Sequence, residues 1–131
     1  MKGAKMKTLT GPIARILYGL PLIMFGYMHF ANAGQMTGMV WLPGGAFWVY
    51  LTGIALFLAA ISFVVDRYVV YAAYGLTLFL LLTALTVHLP AVLGGSQANM
   101  SGLLKDLMLA GAALYFAGRK SEESPEPAEA L

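Results

Sequence analysis

Residues 46–90 read AFWVYLTGIALFLAAISFVVDRYVVYAAYGLTLFLLLTALTVHLP, and this stretch decides the fold because Asp66 and Arg67 are its only charged residues. The apolar runs on either side of that pair are 46–65 and 68–90. As helices rising about 1.5 Å per residue, both are long enough to cross a hydrocarbon core of about 30 Å. The stretch therefore predicts two membrane-spanning helices, and the two-residue turn between them predicts antiparallel neighbours.

Composition extends this interpretation to the whole chain. Its 131 residues are 60% hydrophobic and 11% charged, whereas soluble domains are about 45–50% apolar and about 25% charged. Of its eight basic and six acidic residues, only Asp66, Arg67, Lys105 and Asp106 lie between residues 16 and 118. These proportions exclude an ordinary soluble globule and indicate a multi-pass protein surrounded by the lipid bilayer.

Two further apolar stretches, 12–31 and 102–118, complete a set of four. We therefore predict an all-α integral membrane four-helix bundle with up-down-up-down topology. The last stretch is the shortest, about 25 Å as a helix, and it contains Lys105 and Asp106. The predicted parts of the chain are a basic N-terminus at 1–11, the transmembrane domain at 12–118 and a disordered acidic tail at 119–131.

Basic residues lie beside alternate helix ends and set the expected orientation. Lys2, Lys5, Lys7 and Arg15 lie near the start of the first stretch, Arg67 separates the second from the third, and Arg119 and Lys120 follow the fourth. Because cytoplasmic flanks carry the excess of Lys and Arg, both termini are predicted to lie on the cytoplasmic side of the membrane. The alternative for the first stretch is a signal peptide cleaved near the small-residue triplet 31–33.

The basic N-terminus would also suit a nucleic-acid partner, but its position beside an apolar segment favours a membrane flank, and we predict no nucleic acid. The chain contains no cysteine. That absence excludes disulfides, iron–sulfur clusters and thiolate zinc sites. Any redox chemistry must therefore depend on a partner or on a bound molecule.

Helices in lipid associate through small residues and a few polar contacts. In the first stretch Gly19, Leu22 and Gly26 share a face, and we expect that face to contact a neighbouring helix closely. In the second stretch the expected packing stripe consists of small residues three and four positions apart, Thr52, Ala55, Ala59 and Ser62.

Two histidines, His29 and His88, are the only imidazoles in the chain, and each lies near the expected outer end of its helix. In a sequentially wound bundle the first and third helices are diagonal, so the two rings are expected to meet at a common depth. Lys105 begins the fourth helix at that level, and Asn32 and Asn99 lie in the adjoining connections. These five residues are the predicted ligand-binding candidates, and no catalytic residue is assigned.

Three interpretations of this cluster stay open. The histidines fix the register of the helices through hydrogen bonds, or together with Lys105 they bind a quinone headgroup. In the third interpretation His29 and His88 ligate a b-type haem or a metal ion. No other metal site is predicted, because a metal ion would need a third ligand besides the two imidazoles.

Two segments carry a resemblance to a known family. Residues 15–19, RILYG, together with Phe25, Gly26 and His29, resemble the opening helix of the DoxX-like membrane proteins. Residues 99–111, NMSGLLKDLMLAG, resemble the last helix of that family. The resemblance covers about residues 10–118, and the position of His29 is a lysine in many relatives.

The resemblance implies a four-helix inner-membrane fold in which His88 also has counterparts. It further implies association with quinone-linked oxidation of thiosulfate and with membrane oxidoreductase assemblies. We therefore expect an accessory subunit of a redox-linked, quinone-associated assembly, partnered by another membrane protein or by a second copy, and not an enzyme on its own. The alternatives are a redox subunit that itself holds haem or quinone, and a purely structural assembly factor.

Overall fold

In a computed structural model the described residues are 2–38 and 43–123, and every regular element within them is helical. The α-helices are α1 (Lys2–Thr8), α2 (Ala14–Ala31), α3 (Ala33–Thr37), α4 (Ala46–Val65), α5 (Val69–Thr83), α6 (Leu89–Leu93) and α7 (Ala98–Glu123). Two π-helical turns, Leu9–Ile13 and Ala84–His88, connect α1 to α2 and α5 to α6.

These helices form four spans that are long and apolar enough to cross a membrane: Gly3–Ala31, Ala46–Val65, Val69–Leu93 and Ala98–Glu123. The prediction of an all-α fold with four membrane-length helices is confirmed. Each π-helical turn accompanies a proline, Pro12 in the first span and Pro90 in the third. Because proline lacks an N–H and its ring crowds the preceding turn, the helix continues there with a widened turn.

The second span begins and ends where the sequence predicts, whereas the first and fourth spans are longer than the predicted stretches 12–31 and 102–118. Helix α1 begins at Lys2, within the expected basic N-terminus. Helix α7 ends at Glu123, five residues into the expected disordered tail. Residues 124–131 lie outside the described ranges. The prediction of a short fourth helix is wrong, since α7 has 26 residues. Charged residues do not end this helix, because Lys105 and Asp106 lie within it.

Contacts divide the chain into two compact units, Met1–Arg67 (unit one) and Tyr68–Leu131 (unit two). In unit one α2 packs against α4. A Cβ at Gly26 would lie 3.1 Å from the Gly53 carbonyl oxygen, and one at Gly53 would lie 2.8 Å from the Phe30 ring. The two backbones therefore approach as closely as glycine allows, which confirms the contact expected for the face of Gly19, Leu22 and Gly26.

The packing face of α4 differs from the predicted stripe. Its buried residues are Val49, Gly53, Leu56, Ala59, Ala60 and Phe63. Of the predicted stripe only Ala59 is among them, so that prediction is wrong. The close approach of α2 involves Gly53 instead, whose Cβ would lie 2.8 Å from the Phe30 ring, while Ala55 is exposed and Thr52 is part-buried.

One end of unit one is closed by Arg15. Its Nη1 donates to the Phe63 carbonyl oxygen at 2.8 Å, and its Nε lies 3.7 Å from Asp66 Oδ1. Asp66 has left-handed backbone angles and ends α4, where the Arg67 N–H donates back to the Ser62 carbonyl oxygen. Arg15 thus satisfies a carbonyl that the end of a helix would leave without a partner.

In unit two α5 packs against α7. The contact uses alanines on both helices, Ala73 on α5 and Ala110, Ala113 and Ala117 on α7, all buried. Thr77 Oγ donates to the Ala73 carbonyl oxygen at 2.7 Å and lies 3.5 Å from the Ala110 carbonyl oxygen. Small side chains let these helices approach closely, as expected for helices in lipid.

Candidate functional site

His88 is positioned by the π-helical turn of the third span. The turn covers Ala84–His88, and the N–H of Leu89 donates to the carbonyl oxygen of Ala84, five residues earlier. Pro90 cannot donate the next helical hydrogen bond. The imidazole therefore projects from the last residue of a widened turn, a feature that often marks functional sites in helices.

The imidazole of His88 is held by Asn99, at the start of the fourth span, and Asn99 is in turn bonded to Ser96 in the preceding connection. Asn99 Nδ2 donates to Ser96 Oγ at 2.8 Å. Its Oδ1 consequently faces His88 Nδ1, at 3.0 Å. An amide oxygen only accepts, so His88 Nδ1 carries a hydrogen and donates to Asn99.

Gly102 provides the surface on which the imidazole lies. A Cβ at this position would be 2.6 Å from His88 Cε1 and 2.8 Å from Nδ1. Such distances are too short for any real side-chain carbon. The ring therefore lies directly against the α7 backbone, and the absence of a side chain at residue 102 is a requirement of this geometry.

Asp106 is the buried acid beneath His88. Its residue exposure is 3%, and its Oδ2 lies 3.3 Å from His88 Nε2. On the other side, Oδ1 lies 3.9 Å from Nζ of Lys105, whose side chain is 46% exposed. A buried carboxyl thus stands between an imidazole and a cation at the rim; we call Ser96, Asn99, His88, Lys105 and Asp106 the polar cluster.

One atom of this cluster lacks a hydrogen bond. Asp106 Oδ2 is buried, and among the described residues no donor reaches it with hydrogen-bond geometry, although His88 Nε2 is close. A buried oxygen without a donor costs about 1–3 kcal/mol. An atom of this kind indicates that a proton, a water molecule or a ligand completes the site.

The remaining two predicted site residues lie in unit one and bond locally. His29 Nδ1 donates to the Phe25 carbonyl oxygen at 2.7 Å, and Asn32 Nδ2 donates to the Met28 carbonyl oxygen at 3.1 Å. Both partners are four residues earlier on α2. The two side chains therefore satisfy carbonyls of their own helix, and the expected meeting of His29 with His88 stays a prediction.

Two residues of the polar cluster, Ser96 and Asp106, are absent from the predicted set, and Asp106 is the one that contacts the imidazole. Adjacent Lys105 suggests a simple surface pair, because a sequence does not reveal that residue 88 packs against residue 106. The spacing of Asn99, Gly102 and Asp106 carries the missed signal. These residues are three and four positions apart and share one helix face, and a glycine between two polar residues makes room for a third polar group.

The possible metal and haem ligands of the chain can be compared with this geometry. No group of three or more His, Asp or Glu side chains that could hold a metal ion occurs in the ranges 2–38 and 43–123. For a haem, the ligating nitrogen of His88 would be Nε2, because Nδ1 donates to Asn99. That nitrogen faces the Asp106 carboxyl at 3.3 Å, so the arrangement of His88 does not fit an axial ligand.

Comparison with known proteins is consistent with this architecture. The family model described as DoxX matches residues 12–89, which cover the second span and most of the first and third spans and include both histidines. The segment 99–111 lies outside the matched range. Searches of curated proteins and of solved structures found no significant match. The family match extends over more than half of the chain, and this protein is therefore a member of the DoxX family.

Proposed function

We propose that this DoxX-family protein is an accessory subunit of a redox-linked membrane assembly, and that its polar cluster receives a quinone headgroup. The chain has no cysteine and two histidines, which leaves few ligands for redox centres of its own. In this proposal the electrons come from a partner membrane protein, and the cluster binds and orients the headgroup.

The observation that carries the proposal is the buried Asp106 Oδ2, which has no hydrogen-bond donor among the residues that the structure describes. A reduced headgroup offers hydroxyl groups that donate to a carboxyl oxygen, and an oxidised headgroup offers carbonyl oxygens that accept. Lys105 supplies donors at the exposed rim of the cluster. The cluster therefore has an acceptor for one form of the headgroup and a donor for the other.

The test is thermal unfolding of the purified full-length protein in detergent with a short-chain ubiquinone. We expect the quinone to raise the unfolding midpoint of the wild type and of His29→Leu, because the imidazole of His29 bonds to a carbonyl oxygen of its own helix. Asp106→Leu fills the volume without polar atoms and should remove the effect. Loss of a hydrogen bond to a charged group costs about 1.5–3 kcal/mol, equivalent to binding that is roughly tenfold to a hundredfold weaker.

Lys105→Met provides a second variant with little risk to folding, because the Lys105 side chain is half exposed. We expect a reduced quinone effect in this variant. An equal rise in midpoint for the wild type, Asp106→Leu and Lys105→Met would contradict the proposed site. A midpoint that quinone leaves unchanged in the wild type would reject quinone binding and favour a cluster that only holds α5 and α7 together.

We also propose that both termini face the cytoplasm across a bacterial inner membrane. The argument is the basic excess beside the N-terminus, the turn at Arg67 and the end of α7. The native chain lacks cysteine, so single cysteines report topology cleanly. In intact spheroplasts, a membrane-impermeant maleimide should label Gln97→Cys and spare Ser121→Cys; the reverse labelling would overturn this orientation.

A further inference from the structure

We propose that His88 and Asp106 form a proton-exchange site, in which one proton lies between the imidazole Nε2 and the carboxyl Oδ2. This role goes beyond binding and applies to the ligand-free protein. It rests on the hydrogen-bonding capacity of four neighbouring side chains, Ser96, Asn99, His88 and Asp106.

Asn99 fixes a hydrogen on Nδ1 of His88. Ser96 Oγ accepts from Asn99 Nδ2 at 2.8 Å, and this bond orients the amide so that its oxygen faces the ring. Asn99 Oδ1 then accepts from His88 Nδ1 at 3.0 Å. Asn99 is a positioning residue, because it sets which ring nitrogen carries the permanent hydrogen.

One further proton occupies the gap between His88 Nε2 and Asp106 Oδ2. With Nδ1 protonated, a neutral imidazole presents a lone pair at Nε2. An ionised carboxyl would present another lone pair at Oδ2, which is buried and lies 3.3 Å away. Two facing acceptors of this kind repel each other, whereas a single proton on either atom gives a donor and an acceptor.

The shared proton also keeps the net charge of the His88–Asp106 pair constant. One proton in the gap leaves the His88–Asp106 pair neutral whether the proton is on the carboxyl or on the ring. Moving it between the two atoms therefore changes no net charge within a membrane-length helix, where a change in charge would be costly. Lys105 lies on the opposite carboxyl oxygen, 3.9 Å from Oδ1, and leaves Oδ2 to the imidazole.

This arrangement lets the site respond to its ligand. When a hydroxyl donates to Oδ2, the shared proton rests on Nε2 and the carboxylate accepts. When the ligand offers an acceptor oxygen, the proton rests on the carboxyl, which donates. This consequence rests on the proposed quinone function, whereas the shared proton itself does not.

The test uses ligand-free, full-length protein in lipid bilayers, with ¹⁵N-labelled histidine and the substitution His29→Gln, so that His88 is the only imidazole. We expect a hydrogen bonded to Nδ1 throughout. We also expect one further proton, seen either as an N–H at Nε2 or as a carboxylic-acid C=O band in the infrared spectrum. Adding Asp106→Asn should abolish that second signal, because the amide N–H donates into the gap permanently and Nε2 becomes hydrogen-free.

Three results would overturn the inference: a bare Nε2 with an ionised Asp106, a hydrogen on Nε2 with none on Nδ1, or spectra that Asp106→Asn leaves unchanged. Asn99→Leu supplies a second variant that keeps Asp106. Without the acceptor oxygen of Asn99, both tautomers of the His88 ring should be populated. Asn99→Asp keeps an acceptor oxygen and should restore the single tautomer with a hydrogen on Nδ1. A single unchanged tautomer in Asn99→Leu would contradict the role of Asn99.

The result is separable from the outcome of the quinone experiment. If the spectra show the shared proton and quinone leaves the unfolding midpoint unchanged, the proton site stands and the ligand assignment fails. If quinone binds and no shared proton is seen, the binding proposal stands alone.

Discussion

The two histidines of this chain lie in different surroundings: one bonds within its own helix, and the other contacts polar side chains of another helix. His29, in unit one, donates to the carbonyl oxygen of Phe25 within its own helix. His88, in unit two, contacts Asn99 and Asp106, which are eleven and eighteen residues away on another helix. The hydrogen bond of His29 is satisfied within one helix, whereas the polar cluster contains a buried oxygen that no donor in the described part of the chain reaches.

The contact between α2 and α4 in unit one and the contact between α5 and α7 in unit two are made of different residue types. In unit one, glycine backbones and aromatic rings close the contact, and Phe30 stacks on Phe57 with ring centroids 5.6 Å apart. In unit two, alanines form the contact along α7 and the polar cluster lies at its beginning. We therefore assign the chemistry to unit two and a structural role to the contact in unit one.

The largest effect on the polar cluster is expected from Gly102→Ala. Its new Cβ would lie 2.6 Å from the His88 ring, so the imidazole must leave both Asn99 and Asp106. We expect quinone binding to weaken by about tenfold to a hundredfold, in line with losing a charged hydrogen bond. The measurement is a titration of the detergent-solubilised protein with short-chain ubiquinone.

Gly111→Ala is the matched control on the same helix, because a Cβ at Gly111 has nothing within 4 Å. We expect binding to be unchanged and the helix to be stabilised by up to about 1 kcal/mol. Equal binding by both alanine variants would show that the position of the His88 ring is immaterial.

The next largest effect is expected in unit one from Gly53→Ala. The added carbon would lie 2.8 Å from Phe30 and 3.2 Å from the Gly26 carbonyl oxygen. Overpacking of this kind costs about 1–3 kcal/mol, so the free energy of unfolding should fall by that amount while quinone binding persists. Gly34→Ala, which meets nothing within 4 Å, is the control, and a loss of stability equal to that of Gly53→Ala would refute the close contact.

Arg15→Met should have a smaller effect on stability. It removes the hydrogen bond to the Phe63 carbonyl oxygen and the charge near Asp66. Hydrogen bonds to charged groups contribute about 1.5–3 kcal/mol when buried, and partial exposure of the Asp66 partner reduces the ion-pair share. Denaturant unfolding compared with Arg67→Met, at an exposed residue, measures the difference, and no difference would show that Arg15 does not stabilise the end of α4.

The smallest effect is expected from His29→Leu. The variant loses one local hydrogen bond, which contributes about 0.5–1.5 kcal/mol, and gains an apolar side chain suited to lipid. Quinone binding should match the wild type. A large loss of binding in this variant would favour the sequence-based expectation that both imidazoles form one site.

The spans were predictable because uninterrupted apolar length is a local property of the sequence. The run 46–65 coincides with α4, since Pro43, Gly44 and Gly45 precede it and Asp66 follows it. The end of the fourth span was not predictable from charge alone. Glu123 pairs with Arg119 and Lys120 across one helical turn, and such pairs support a last turn that composition alone assigns to the tail.

The candidate site was predictable only in part. His88, Asn99 and Lys105 were identified as polar residues near helix ends, which needs no knowledge of tertiary contacts. Asp106 was missed, because its burial depends on which face of α7 meets the third span. The buried face of α4 was also misjudged, since residue size does not show that the closest approach is at Gly53.

The most direct test of the central claim maps the bound headgroup on the wild-type protein. A photoreactive azidoquinone is cross-linked to the full-length protein in lipid bilayers, and labelled peptides are identified by mass spectrometry. We predict label on residues 94–106, beside Lys105 and Asp106, that excess short-chain ubiquinone suppresses. Label confined to residues 25–37, around His29, would contradict the assignment of the chemistry to unit two.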